Sequence, residues 1–303
     1  MSSHTLTVGA PILDETPLRR ICNEFAESKL ALVGLAMLLL VVSVAIFAPI
    51  ISPQNPYDLA QIDLMDSKLA PGEKSPADKT YLLGTDDQGR DMLSAIFYGL
   101  RISLGVGVAS TIVAVAIGLC FGLMAAFFGG WVDTLIMRVV DIQLSFPAIL
   151  LALILLAVFG QGADKVIIAL IAVQWAYYAR TVRASALVEM QKEYVEAARV
   201  LSLSKPRILF RHLLPNCLPP LIVVATVQVA HAISLEATLS FLGLGLPITE
   251  PSLGLLISNG FTYLMSGKYW ISFYPGLALL VTIMSINLVA DQLRDVLNPR
   301  LKK

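Results

Sequence analysis

Long apolar runs separated by short polar stretches dominate the chain. Leu30 to Ile51 holds 22 residues without a charge, about 33 Å as a helix, enough to cross the hydrocarbon core of a bilayer. Comparable runs recur over residues 102–128, 135–159, 166–187, 213–246 and 274–293. The pattern predicts an all-α, polytopic membrane protein with six transmembrane helices. The first run is too long for a signal-peptide core, and no small-x-small cleavage site follows it, so it reads as a retained anchor over residues 30–51. The fourth is the shortest, with only 14 uncharged residues from Val166 to Ala179. Snorkelling by Arg180 and Arg183, and an interfacial belt of Trp175, Tyr177 and Tyr178, extend it to about residue 187.

Between the runs, residues 1–29 and 298–303 read as polar tails, residues 52–101 as a long outer segment, and residues 188–212 as a charged loop. Residues 102–297 form the membrane core. In the outer segment, Gly84 and Gly89 fit turns and Asp91 fits a helix N-cap. Met92, Leu93, Ile96, Gly99 and Leu100 then predict a short interfacial helix along the membrane surface. Gly118 and Gly122 form a G-x-x-x-G that lets a neighbouring helix approach closely. Arg138 and Asp141 are spaced to pair, and Pro147 is placed to kink the third span.

Basic residues set the orientation. With both termini inside, the inner segments carry 15 of the 22 Lys and Arg, which favours N-in and C-in and puts residues 188–212 in the cytoplasm. A mean hydropathy of +0.75 lies outside the usual soluble range. The formal net charge of zero gives no field for nucleic acid. Cys22, Cys120 and Cys217 are dispersed, as are the three histidines, so neither a disulfide framework nor a metal site is indicated.

No phosphate-cradling G-x-x-x-x-G-K-[S/T] occurs, nor a nucleophile elbow, nor H-E-x-x-H. The chain is expected to be non-catalytic and to hold no cofactor. His231 and Glu236 are the ionisable residues within the fifth span, but five positions apart they point about 140° away from each other. Glu236 reads either as a residue lining a polar passage or as one paired on another helix; His231 reads as packed and hydrogen-bonded. Asn287 and Asp291 read as structural or interfacial. A coupling carboxylate at Glu236 defines the rival function, a secondary transporter driven by an ion gradient.

The stretch from Glu193 to Pro215 stands out as a charged island. Tyr194, Ala198 and Leu201 fall on one helical face, Glu196 and Arg199 are spaced to pair, and Ser204-Lys-Pro206 predicts the start of a second short helix. Glu196-Ala197-Ala198, the Ser-Lys-Pro turn and Arg211-His212-Leu-Leu-Pro215-Asn216 resemble the EAA coupling loop of ABC importer permeases, in the variant of the dipeptide/oligopeptide/nickel permease family. Gly84-Thr-Asp-x-x-Gly-Arg-Asp91, Arg138-x-x-Asp141 with Phe146-Pro147, Leu239-Ser-Phe-Leu-Gly-Leu-Gly245 and Asp291-x-Leu-Arg-Asp-x-Leu-x-Pro299 resemble the same family. The likeness covers about residues 30–301 and is greatest to the second of the two permease subunits.

The resemblance implies a bacterial inner-membrane importer built with a homologous permease, two ABC ATPases carrying ATP and Mg, and an external solute-binding protein. Its substrates would be di- or oligopeptides, nickel or metal chelates, glutathione or opine-like compounds, with peptides as the default. Glu196 and Arg199 would orient the docking helix, and Tyr194, Ala198 and Leu201 would enter an ATPase groove. One position departs from the family pattern: Ser202 stands where a glycine separates the two short helices. Serine pays sterically for a left-handed backbone, so a different turn, capped by Ser202 or Ser204, is the expectation.

Overall fold

A computed structural model describes residues 17–297 apart from Leu59 and Ala77. The expected C-terminal tail at 298–303, the last two residues of the closing motif and most of the N-terminal tail lie outside the described residues. The described elements are helical: α1 (Pro17–Glu27), α2 (Lys29–Ile51), α3 (Met92–Phe128), α4 (Gly130–Ser145), α5 (Ala148–Phe159), α6 (Ala163–Glu189), α7 (Glu193–Val200), α8 (Lys205–Arg207), α9 (Leu214–Phe241), α10 (Leu253–Phe261) and α11 (Trp270–Leu297). A six-residue π-helical stretch, Ile208–Leu213, joins α8 to α9.

Among the described residues, four helical bodies are long and apolar enough to cross a membrane: α2, α3, the continuous run Lys205–Phe241 and α11. A fifth arises if the bent pair α4 and α5 counts as one span. The sequence pattern led to six; α6, which carries Asp164, Lys165, Arg180 and Arg183, is not in this set. Pro147 does more than kink the third run. It splits that run into two helices at 92°, because Pro147 cannot donate its missing N–H and holds Phe146 in an extended conformation.

The interfacial helix expected after Asp91 does not exist as a separate element. Asp91 caps a single helix of 37 residues, its carboxylate accepting from the Ser94 N–H at 2.8 Å. Met92, Ile96, Gly99 and Leu100 are buried against α2, α10 and α11 rather than lying on a membrane surface. At about 55 Å, α3 exceeds the roughly 30 Å hydrocarbon core, so part of it stands outside the bilayer.

The most extensive helix pairing joins α3 to α6. A Cβ added at Gly118 would sit 2.4 Å from the Tyr178 Cβ, and one at Gly122 would sit 2.6 Å from the Ala179 carbonyl. The G-x-x-x-G therefore sets the α3–α6 separation, as its spacing implies.

The outer segment is held by a buried polar network. Arg90 is 1% exposed and pairs with Asp86 at 2.6 Å, while the second Asp86 oxygen accepts the Arg90 N–H at 2.9 Å. A further Arg90 nitrogen reaches the Ile248 carbonyl at 3.3 Å, tying this turn to the loop after α9. Gln54 accepts the Asp91 N–H at 2.6 Å, and the Trp270 indole donates to the Thr85 carbonyl at 3.2 Å. Asp66 accepts from Ser75 and from Tyr81. Gly89 is obligatory here: its φ is +79° and a Cβ would meet the Asp63 carbonyl oxygen at 2.1 Å.

Breaking a buried ion pair leaves an uncompensated charge, whereas an exposed pair contributes little. Asp86→Asn is expected to destabilise the purified protein by about 3–5 kcal/mol. Asp78→Asn, which removes the exposed Lys74–Asp78 pair, should cost less than about 1 kcal/mol. Thermal unfolding in detergent would separate the two.

Candidate functional site

The charged island folds as a helix, a tight turn and the beginning of a long helix. α7 ends in a Schellman motif. The Leu203 N–H donates to the Ala198 carbonyl at 3.2 Å and the Ser202 N–H to the Arg199 carbonyl at 2.9 Å. Ser202 occupies the C′ position with φ +53°, the left-handed conformation a glycine would adopt. The reshaped turn expected from serine is therefore not used, and neither hydroxyl caps: Ser204 precedes α8 without a side-chain bond. The cost is offset by packing, since Leu203 joins Val195, Ala198 and Ile208 in one apolar cluster with Tyr194 and Phe127. The same bonding pattern closes α9, where the Leu244 N–H reaches the Leu239 carbonyl and a true glycine, Gly243, sits at φ +77°.

The second short helix is not free-standing. α8 runs through the π stretch into α9, so Lys205 to Phe241 is one continuous helical body. Pro206 and Pro215 are exposed and occupy early helix positions where a missing N–H matters least. Pro219 and Pro220 lie inside α9 without breaking it.

Tyr194 is the clamp of the loop. Its hydroxyl donates to Glu189 at the end of α6 at 2.7 Å and accepts from the Asn216 amide of α9 at 3.2 Å. Burial, with the hydrogen bond to the Glu189 carboxylate, pushes the phenol up to about 12. Asn216 also donates to the His212 carbonyl at 2.7 Å, so three helices meet at one side-chain node.

Two readings of this loop are corrected. Tyr194 and Ala198 do not form an outward apolar face; Tyr194 is half-buried and Ala198 buried within the loop's own cluster. The outward face carries Glu196, Ala197, Val200 and Leu201, with Val200 83% and Leu201 72% exposed. Glu196 and Arg199 are both exposed and form no ion pair with each other among the described residues. Arg211 is exposed and His212 half-buried.

Within the membrane helices, Arg138 and Asp141 do not pair. Asp141 pairs instead with Arg180, and Asp133 takes a bidentate bond from Arg183, so two ion pairs tie α4 to α6. Glu236 is 0% exposed. Its two oxygens accept from Ser103 of α3 and Ser240 of α9, each at 2.8 Å. Of the two readings open at Glu236, the one paired across helices holds. His231 is the reverse: expected to be packed, it is exposed on α9 and has no hydrogen bond among the described residues. Asn287 and Asp291 lie along one shallow cavity of α11.

Residues 118–303 match the family described as binding-protein-dependent transport system inner membrane component. Residues 16–71 match the N-terminal TM domain of oligopeptide transport permease C. The chain belongs to the oligopeptide/dipeptide permease C family of ABC importer permeases. It is 41% identical over 297 residues to the dipeptide transport system permease protein DppC of Escherichia coli K12, covering 98% of this chain and 97% of the relative. It is 37% identical over 287 residues to the di/tripeptide transport system permease protein DppC of Pseudomonas aeruginosa, covering 95% and 93%.

Among solved structures, the chain is similar to the inward-facing MetNI methionine ABC transporter, with a TM-score of 0.55 at 22% identity over 68% of this chain and 98% of that one. It also resembles an amino acid ABC transporter, with a TM-score of 0.51 at 15% identity over 66% and 92%. These two share the fold. The chain is thus a non-catalytic, multi-pass inner-membrane permease subunit. It works in a complex with ATPases, which carry the ATP, and a binding protein.

Glycine at the Ser202 position relieves the left-handed penalty while leaving the turn's bonds in place. Ser202→Gly is expected to stabilise the folded protein by up to about 1 kcal/mol, and Ser202→Val to destabilise it by about 1–2 kcal/mol. Thermal unfolding of the two variants beside the parent checks the sign of each.

Proposed function

We propose that this chain forms half of the solute pathway of a peptide importer and receives ATPase motion through α7. The observation that carries the reading is the continuity of Lys205–Phe241. A push on the cytoplasmic end of that helix has no flexible joint to dissipate it. α7 is fixed to its base by the Schellman turn and by the Glu189–Tyr194–Asn216 node. A helix held at two points transmits a rigid-body displacement instead of bending, which is the behaviour alternating access requires.

The outward face of α7 offers Glu196 as a charge and Val200 and Leu201 as apolar anchors to a groove in the ATPase. Arg199 orients the helix in that groove, and Arg211 and His212 lie at its base. A homologous permease would complete a heterodimer, two ATPases would bind its cytoplasmic side, and a solute-binding protein would deliver from outside. In this reading α6 is a further span, giving six with both termini in the cytoplasm, in line with the distribution of Lys and Arg. Peptide as substrate rests on the relatives, which are described as dipeptide and di/tripeptide permeases.

The secondary-transporter alternative loses its main support, since its coupling carboxylate, Glu236, is sealed between two serines.

Charge reversal at a docking face both removes an attraction and adds a repulsion. Glu196→Lys is expected to cut co-purification of the ATPases and peptide-stimulated ATP turnover by about tenfold, a loss of ~1.4 kcal/mol. The amount of this chain in the membrane should not change. Undiminished capture and turnover would count against α7 as the docking element.

A further inference from the structure

A cavity of about 470 Å³ opens at mid-depth between α6, α9 and the start of α5. Its polar lining consists of Gln174, Tyr177, Gln228, His231, Ser234 and Thr238. The α9 members recur at positions 228, 231, 234 and 238, a single helical face. Gln228 stands 14 residues into α9, about 21 Å from its cytoplasmic start, and Gln174 and Tyr177 are close to the middle of α6. The 92° break at Pro147 delivers Ala148 and Ile149 to the rim.

His231, Thr238 and Tyr177 are exposed on the surface of the chain. Polar side chains at this depth are costly against lipid tails and occur where a helix faces protein or a water-filled passage. The hydrogen-bonding inventory is two-sided and neutral. Ser234 and Thr238 donate their hydroxyls to the Ala230 and Ser234 carbonyls of their own helix, which leaves their oxygens as acceptors. Gln174 is 3% exposed, and its carbonyl takes long bonds from Thr111 at 3.4 Å and Tyr178 at 3.5 Å. Its amide group is left to donate. No Asp, Glu, Lys or Arg lines the cavity. Glu236 belongs to the same helix but faces the opposite way, where its carboxyl accepts from Ser103 and Ser240.

We propose that this face is the solute-contact surface of the pathway and binds the peptide backbone through neutral donors and acceptors. The proposal rests on the peptide-importer reading above. Every peptide presents N–H and C=O groups whatever its side chains, so a surface matched to them gives grip without side-chain preference. A charged lining would favour one sign of side chain and retain it; a neutral one lets acidic, basic and apolar peptides pass alike. The volume is in the range of small-molecule sites, and the cavity opens to the surface of the chain through the exposed His231, Thr238 and Tyr177.

The test uses the full transporter in liposomes, with Cys22, Cys120 and Cys217 replaced by serine and single cysteines introduced as His231→Cys, Thr238→Cys and, for comparison, Ile112→Cys on the exposed apolar side of α3. A membrane-impermeant methanethiosulfonate should modify positions 231 and 238 several-fold faster than 112, and turnover with dialanine should slow that modification. In the cysteine-containing parent, Gln228→Ala should raise the KM for Ala-Ala, Ala-Lys and Ala-Glu by similar factors.

If 231 and 238 react in the isolated chain but in no nucleotide state of the assembled transporter, the face is covered by the second permease and the proposal is overturned, while dipeptide uptake by the parent would leave the importer reading intact. A KM change confined to one charge class would overturn the backbone-recognition claim. Reactive cysteines in a transporter that imports no dipeptide would overturn the peptide reading and with it the ligand class.

Discussion

On the proposed coupling role of α7, one mechanical constraint governs the rest: work delivered to a surface helix of eight residues has to reach the middle of the membrane undamped. The chain meets it with an unbroken helical body from Lys205 to Phe241. A hinge between α7 and that body would absorb the displacement. The Schellman turn removes the hinge by satisfying the terminal carbonyls of α7 and burying Leu203 against Ala198. The Tyr194 node adds a second attachment, to α6, so the loop is braced in two directions. The π stretch at Ile208–Leu213 lies where the body leaves the loop, just ahead of Pro215, and Pro219 and Pro220 follow inside α9.

The membrane imposes the second constraint, that no polar group be left facing hydrocarbon. Glu236 satisfies it by recruiting serines from two helices, which makes it a cross-helix tie between α3 and α9. Asp133 and Asp141 do so by pairing with Arg183 and Arg180, tying α4 to α6. In the outer segment the Asp86–Arg90 pair plays the same part for a motif whose glycines leave no room for side chains. Ionic and polar ties thus fix the relative positions of elements that apolar packing alone would let slide, because lipid is as apolar as the helix surfaces.

How much of this was legible in the sequence varies by scale. The first apolar run located α2 to within a residue, because 22 uncharged residues have little alternative to spanning, whereas the second run missed the first ten residues of α3 and the third missed its division into α4 and α5. The Gly118/Gly122 spacing announced a close helix approach, and the structure supplies α6 as the partner. The motif set named the family. What escaped was whatever depends on three-dimensional neighbours. Asp141 has Arg138 three positions away but Arg180 in space. Met92 to Leu100 reads as an interfacial helix in sequence, yet it is enclosed nearly all round by α2, α10 and α11, which only the tertiary fold brings to it. His231 and Glu236 exchanged roles for the same reason: polarity was visible in the sequence, but the direction each side chain faces was not. Ser202 shows the limit of propensity. Serine disfavours the left-handed turn by an amount that a small apolar cluster can outweigh, so local preference yielded to packing.

Rigid transmission from α7 to α9 is the central claim, and intramolecular distance tests it most directly. Nitroxides at Glu193→Cys and Ile222→Cys, both exposed positions, report the geometry between the docking helix and the membrane body in the assembled transporter by double electron–electron resonance. The distance is expected to be unchanged between the nucleotide-free and ATP-trapped states, while the distance from position 222 to a label on the second permease shifts. A change in the 193–222 distance with position 222 static relative to the second permease would mean that the loop flexes instead of pushing, and would contradict the account.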